Sequence, residues 1–329
     1  MILAGDVGGT KTILALFSTE DNQPKCVRKL RYASQDYLSF TGLLQDFLSD
    51  GFDGQITSVC IGVAGPIVDG DCVTTNLPWV LHRNQIGAAT GTKNVQLLND
   101  MEATAWGILN LPDEDFVELN PEGQQSRGNI AVLAAGTGLG EAIIAWDGNN
   151  YHAIANEGGH SDFAPGNEQE IELLKHLWEK HPDHVSYERL LSGEGLVNIY
   201  QFLKTSGFAA VNQSIEQQMT ERDPAAVIGE AGVKGADALS VAALTQFCRL
   251  YGAEAGNLAL KCLPYGGVVL AGGIAGKILP FITRGDFMQG FLAKGRYRAM
   301  LQNIPVKVCT NAEVALLGSM RFCLRKSND

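Results

Sequence analysis

Met1-Ile-Leu-Ala-Gly-Asp-Val-Gly-Gly-Thr-Lys-Thr-Ile-Leu-Ala-Leu-Phe17 places apolar runs on both sides of a glycine-rich turn. That pattern predicts a β-hairpin. The same grammar returns at Ile130-Ala-Val-Leu-Ala-Ala-Gly-Thr-Gly-Leu-Gly-Glu-Ala-Ile-Ile-Ala-Trp146. A third stretch, Gly267-Val-Val-Leu-Ala-Gly-Gly-Ile-Ala-Gly276, shares the strand and the glycines, but 277–282 beyond them reads as the start of a helix. A hairpin near the start of each half is a weak internal repeat. It implies two related α/β units facing each other, with a ligand between them.

Further strands are expected at 58–64, 95–98 and 305–310. Helices are expected at 37–50, 100–109, 168–180, 192–204, 236–263 and 312–325. Strands alternating with helices give an α/β class. The charged stretch 112–128 is the best domain boundary.

The chain has 329 residues, 45% hydrophobic and 19% charged, which suits a globular protein with a full core. The formal net charge of -11 makes nucleic acid and anionic membrane poor partners. It does not count against a small phosphate ligand, because local N–H groups and a metal ion build such sites. The seven cysteines form no CxxC pair and point to a reducing compartment. Met1 opens directly into a strand, with no signal peptide pattern and no apolar run long enough to span a bilayer.

In Asp6-Val-Gly-Gly-Thr-Lys11, Gly8 and Gly9 allow positive φ and close approach of a ligand to the backbone. Successive N–H groups there make an anion nest, to which the Thr10 hydroxyl adds a donor. Asp6, at the strand end, is a candidate to hold Mg²⁺ through water. An ordinary tight hairpin with a solvated Asp is the competing reading. Gly136-Thr-Gly-Leu-Gly140 offers a second nest, and Gly272 with Gly273 a third point of approach. A Walker loop is excluded, since the nearest stretch, 271–278, lacks the leading Gly and the final hydroxyl. A dinucleotide fingerprint is excluded too, because Gly136, Gly138 and Gly140 give GxGxG followed by a strand.

Leu97-Leu-Asn-Asp100 ends a buried strand with two polar residues. Asp100 is either a helix N-cap or a base projecting into a cleft, and Asn99 beside it supplies both donor and acceptor to a hydroxyl. Asn156-Glu-Gly-Gly-His-Ser-Asp-Phe163 carries two carboxylates and a His around two glycines, a set suited to a polyol or to a polar surface loop. In Ser186-Tyr-Glu-Arg-Leu-Leu-Ser-Gly193, Glu188 is either a hydroxyl acceptor or an ion-pair partner of Arg189. His82, His152, His176, His181 and His184 show no partner pattern and read as surface residues.

In order, the segments GDVGGT (5–10), LLND (97–100), AAGTGLG (134–140), NEGGHSDFAP (156–165), ERLLSGEGLVNIY (188–200) and LAGGI (270–274) resemble the bacterial-type glucokinases. The resemblance spans Gly5 to about Arg321. It implies the two-domain actin, Hsp70 and hexokinase (ribonuclease H-like) architecture with an interdomain cleft. The smaller domain would comprise 1–110 plus 303–329, and the larger 111–302. It also implies ATP with Mg²⁺, a cytoplasmic location, a homodimer, and transfer of the ATP γ-phosphoryl group to the glucose 6-hydroxyl. Carried over by residue, Asp100 becomes the catalytic base, and Asn99, Glu157, His160 and Glu188 become glucose ligands. Asn76, in Thr75-Asn-Leu-Pro-Trp79, is expected near the sugar. Gly5, Asp6, Val7, Gly8, Gly9, Thr10, Thr137, Gly138, Gly272 and Gly273 would line the nucleotide. Lys11 departs from the Asn common at that place and matches the ROK sugar kinases instead, but the cysteine-rich zinc loop usual in ROK members is missing. Glucose as the hexose rests on the resemblance alone. Residue types leave room for another hexose kinase, for a non-catalytic sugar sensor, or for an actin-like ATPase that would not need the 156–160 cluster.

Overall fold

The computed structural model describes residues 1–18, 24–49 and 54–326; Asp50, the last residue of the helix expected at 37–50, lies outside them. The chain divides into two compact units, Met1–Asp113 with Glu313–Asp329, and Glu114–Ala312.

In the first unit the strands are β1 (Ile2–Val7), β2 (Lys11–Ser18), β3 (Lys25–Ala33), β4 (Ser58–Val63), β5 (Ile67–Val68), β6 (Asp71–Val73), β7 (Val80–Leu81) and β8 (Val95–Asn99). Five of them form one sheet in the order β3-β2-β1-β4-β8, and β5-β6-β7 form a small second one. β1 runs antiparallel to β2 and parallel to β4, which is parallel to β8.

The second unit holds β9 (Phe116–Glu118), β10 (Ile130–Ala135), β11 (Leu139–Trp146), β12 (Tyr151–Asn156), β13 (Gly267–Ala271) and β14 (Val306–Cys309). Their order is β12-β11-β10-β13-β14-β9. Here β10 is antiparallel to β11 and parallel to β13, which is parallel to β14. The two large sheets therefore share one plan: a three-strand meander continued by two parallel strands. The repeat heard in the two glycine hairpins is this shared plan.

Both faces of the first sheet are covered, so its central strands are apolar throughout. Leu3, Val7, Leu14 and Leu16 pack with Phe40, Leu43 and Phe47 of helix Phe40–Ser49. Ile2, Ala4, Ile13 and Ala15 pack with Leu316 and Met320 of helix Val314–Lys326. The alternation follows from successive side chains pointing to opposite faces of a strand. In the second unit, helix Ala238–Cys262 is buried along most of its length. Its Tyr251 hydroxyl donates to the Leu133 carbonyl of β10 at 3.1 Å.

Two details differ from the reading of the sequence. The stretch 112–128 contains β9, which pairs antiparallel with β14. β14 also pairs with β13, so 306–309 belong to the sheet of the unit Glu114–Ala312. After β13 the helix begins at Gly272, not at 277.

Candidate active site

The first unit gathers its candidates at one sheet edge. Val7 pairs with Val63, and Val63 with Asn99, so three parallel strands end in register. Open α/β sheets bind ligands outside these carboxyl ends. The β1–β2 turn leaves from that edge. Its Gly8 N–H donates to the Lys11 carbonyl at 3.0 Å, and the Ser34 N–H to the Thr10 carbonyl at 3.1 Å. The Ser34 hydroxyl donates to the Gly8 carbonyl at 2.8 Å. Three carbonyls of the turn are thus occupied internally. Ser34 was not legible as part of the site; a serine buried after a charged strand is its only signal.

Neither Gly8 nor Gly9 has positive φ, contrary to expectation. What Gly9 provides is room: a methyl there would lie 2.8 Å from Cβ of Asn76. Asn76 is thereby set against the turn. Its loop is fixed by the Thr74 hydroxyl, which donates to the carbonyls of Leu77 at 2.7 Å and Trp79 at 3.1 Å. Gly5 and Val7 lie inside β1; Gly5 makes space for Ile61 and Leu14, and Val7 is a core side chain. They can offer a ligand only backbone. Thr10 is exposed at the tip.

Asp6 is the next-to-last residue of β1, beside these groups. Burial pushes its carboxyl up, and the Lys11 ammonium opposes the rise. Among the described residues no group of metal ligands surrounds it, so this single carboxyl would suit only an ion that keeps most of its waters, as Mg²⁺ does.

Of the two readings of the Asn99–Asp100 junction, the cap belongs to Asn99. Its side chain accepts the Met101 N–H at 2.9 Å, while its amide donates to the Gly65 carbonyl at 3.3 Å. Asp100 is the first residue of helix Asp100–Ile108, and its Oδ1 also accepts the Met101 N–H at 2.9 Å. The aspartate is thus fixed at the helix N-terminus, where the backbone dipoles favour negative charge.

The second unit gathers the others at the matching edge. Ala134 of β10 pairs with Ala271 of β13, so the turns carrying Thr137–Gly138 and Gly272–Gly273 leave side by side. Gly272 has φ +82° and a methyl there would meet the Ala135 carbonyl at 2.5 Å, so both conformation and contact demand glycine. Thr137, Gly272 and Gly273 are exposed.

Glu157, His160 and Glu188 come together. His160 lies with Nε2 4.0 Å from Glu157 and Nδ1 4.0 Å from Glu188. Glu188 also reaches the glycine turn, where it accepts the Leu139 N–H at 2.9 Å. A methyl on Gly138 would overlap its Oε2. The alternative partner Arg189 is engaged elsewhere, with Glu194 at 3.0 Å. Four of the remaining histidines have carboxylate partners after all: His82 with Asp71 at 2.8 Å, His152 with Asp147 at 2.7 Å, His184 with Asp162 at 3.1 Å and His181 with Glu194 at 3.9 Å.

A sequence model of the Glucokinase family matches residues 3–326. The glucokinase of Nostoc punctiforme is 42% identical over 332 residues, covering 97% of each chain. That of Synechocystis is 39% identical over 340 residues, covering 96% of each. Among solved structures, a glucokinase from an Antarctic psychrotroph superposes with a TM-score of 0.83 at 28% identity, over 99% of this chain and 98% of that one. The fold is that of the actin-like, hexokinase-type sugar kinases. With the match running from β1 to the last helix and taking in every glycine turn and carboxylate above, the chain belongs to the glucokinase family, ATP-dependent kinases that phosphorylate glucose.

Proposed function

We propose that Asp100 is the general base of this glucokinase reaction. It takes the proton of the glucose 6-hydroxyl as that oxygen attacks the γ-phosphorus of ATP, and ADP leaves with the broken P–O bond's electrons. A sugar hydroxyl is a weak nucleophile, and a positioned base is worth about 10²- to 10⁴-fold. The observation that carries this reading is the anchoring of Asn99 and Asp100 at the carboxyl edge of β8, in register with the glycine turn of β1.

Asn99, Glu157, His160 and Glu188, with Asn76 against the turn, hold the sugar hydroxyls. A site built to pair with hydroxyls rejects analogues lacking them, because its own polar groups are then stranded. The segments Gly5–Thr10, Thr137–Gly138 and Gly272–Gly273 hold the nucleotide through backbone N–H groups. Asp6 would hold Mg²⁺ through water, and that ion, when bound with ATP, would supply charge neutralisation at the phosphates. The glucose named with the Balamuthia mandrillaris glucokinase, and the glucose and AMPPNP named with a ROK glucokinase of Streptomyces griseus, support these ligand classes. The scattered free cysteines support a cytoplasmic setting, and membership of the glucokinase family supports a homodimer as the working form.

The test is ADP release across a panel of hexoses. Strong dependence on glucose is expected, and Asp100→Asn should lower kcat by about 10²-fold or more while glucose affinity is largely kept. Near-normal turnover in that variant would remove Asp100 from this role.

A further inference from the structure

Beneath the Glu157–His160–Glu188 cluster lie two carboxyls that the reaction scheme does not use. Glu141, on β11, is 1% exposed, and Glu254, on helix Ala238–Cys262, is 0% exposed. Both oxygens of Glu141 and Oε1 of Glu254 are buried with no hydrogen-bond donor among the described residues. Their side chains meet each other. Two ionised carboxylates in contact, out of water, repel strongly, whereas one proton between them makes a short, charge-assisted hydrogen bond.

Each member supports a different sugar-binding segment. Glu141 fills the space under the 157–160 turn, and a methyl on Gly158 would overlap its Oε2. Across the ladder from it stands Asn156, whose Oδ1 accepts the Gly158 N–H at 2.8 Å and whose Nδ2 is a buried donor with no acceptor among the described residues. Glu254 accepts from Nδ2 of Asn257 at 2.8 Å, and that nitrogen lies 2.9 Å from the hydroxyl of Tyr187, the neighbour of Glu188. The two segments are tied to one another as well, by the Tyr187 N–H donating to the Ser161 carbonyl at 3.0 Å.

We infer that Glu141 and Glu254 are a pair of positioning residues that share one proton, and that this proton keeps the 157–160 and 187–189 turns in the geometry that receives the hexose. The inference rests on Glu157, His160 and Glu188 being the sugar ligands. The charged and titratable groups that face the pair are Tyr251, Lys261 and Cys262 on the long helix, Tyr187 on the turn and Lys294 beyond the helix. Lys294 donates to Oδ1 of Asn257 at 2.6 Å; its charge and that of Lys261 oppose the rise at Glu254 without outweighing burial. Burial, and then the proximity of Glu254, pushes the Glu141 carboxyl up to about 8. Loss of the shared proton to solvent above that pH leaves two like charges beneath Gly158, and the turn must yield.

Calorimetric glucose binding between pH 6.5 and 9 tests this with the full chain, using wild type, Glu141→Gln, Glu254→Gln and Glu157→Ala. Wild-type glucose affinity is expected to fall about tenfold by pH 9, as one required proton with a midpoint near 8 dictates. Glu141→Gln, whose amide cannot lose a proton, is expected to flatten that profile, and Glu254→Gln likewise. A wild-type affinity that stays level to pH 9, or a fall that persists unchanged in both Gln variants, overturns the inference. Glu157→Ala separates the two claims: it should weaken glucose binding at every pH, and if it does not, the sugar-ligand assignment itself fails.

Discussion

Glu188 touches two functions at once, since it approaches His160 and also caps the Leu139 N–H of the glycine turn. Gly138→Ala exploits that. The new methyl would collide with Oε2 of Glu188, the mobile end of a side chain, so the carboxylate moves and the backbone stays. A hydrogen bond to a charged group is worth about 1.5–3 kcal/mol. Glucose KM should therefore rise roughly tenfold or more. Gly136→Ala is the comparison: a methyl there meets nothing within 4 Å and leaves Glu188 in place. Equal effects of the two substitutions on glucose KM would contradict the account. At this scale the sequence was readable where chemistry clustered. Glu157 and His160 share one short loop, and Asn99 and Asp100 adjoin. It was not readable for Glu141, one carboxylate in a strand read for its apolar residues, or for Glu254 among small helix residues. Their signal is the opposite of a cluster: an isolated charge where burial is expected, which only a buried partner makes tolerable.

Helix Asp100–Ile108 is what aims the proposed base, and it is fixed by crossing helix Val314–Lys326 at contact distance. The crossing is made of glycines. A methyl on Gly107 would overlap the Val314 carbonyl, and one on Gly318 the Ala103 carbonyl. These obstacles are backbone, which cannot swing aside. Gly318→Ala should cost about 1–3 kcal/mol through overpacking. It should also lower kcat more than it raises ATP KM, because the helix carrying Asp100 is displaced. Thermal unfolding and steady-state kinetics read the two effects; an unchanged melting temperature would show that the crossing has slack. The helix at 312–325 was legible from its apolar spacing, but the demand for glycine at 318 depends on a partner more than 200 residues away. β3 was illegible for a related reason. Lys25, Arg28, Lys29 and Arg31 offer no apolar face, and the strand exists because β2 needs a neighbour. Helices Gln213–Glu221 and Pro224–Val233 are illegible because their turns are largely polar or small; the first is held by packing on the second, and the second also by the long helix.

Across the whole molecule, two sets of carboxyls pull stability in opposite directions with pH. Backbone N–H groups of Asn150 and Asn149, then His152, hold Asp147 down to about 2, Arg222 holds Glu230 low, and Lys180 holds Glu194 low. Folding favours their charged forms, so their contribution is present above the ordinary carboxylate range and is lost as acid protonates them. They are exposed, and solvent screens what they add. The buried carboxyls of Glu141 and Asp6 are raised instead, so the folded chain holds protons that the unfolded chain has released. The contribution of Glu141 is present below the ordinary Glu value of 4.5 and declines as pH climbs from there toward about 8. Because the raised groups are the buried ones, the alkaline side should dominate above pH 5. The unfolding free energy is expected to fall between pH 5.5 and 8.5 by an amount on the order of a few kcal/mol, read as a lower urea midpoint at the higher pH. Glu141→Gln should reduce that slope, since the amide has no proton to lose on unfolding. A midpoint that rises over this range, or a slope untouched by the substitution, would mean that Glu141 ionises inside the fold as readily as in water.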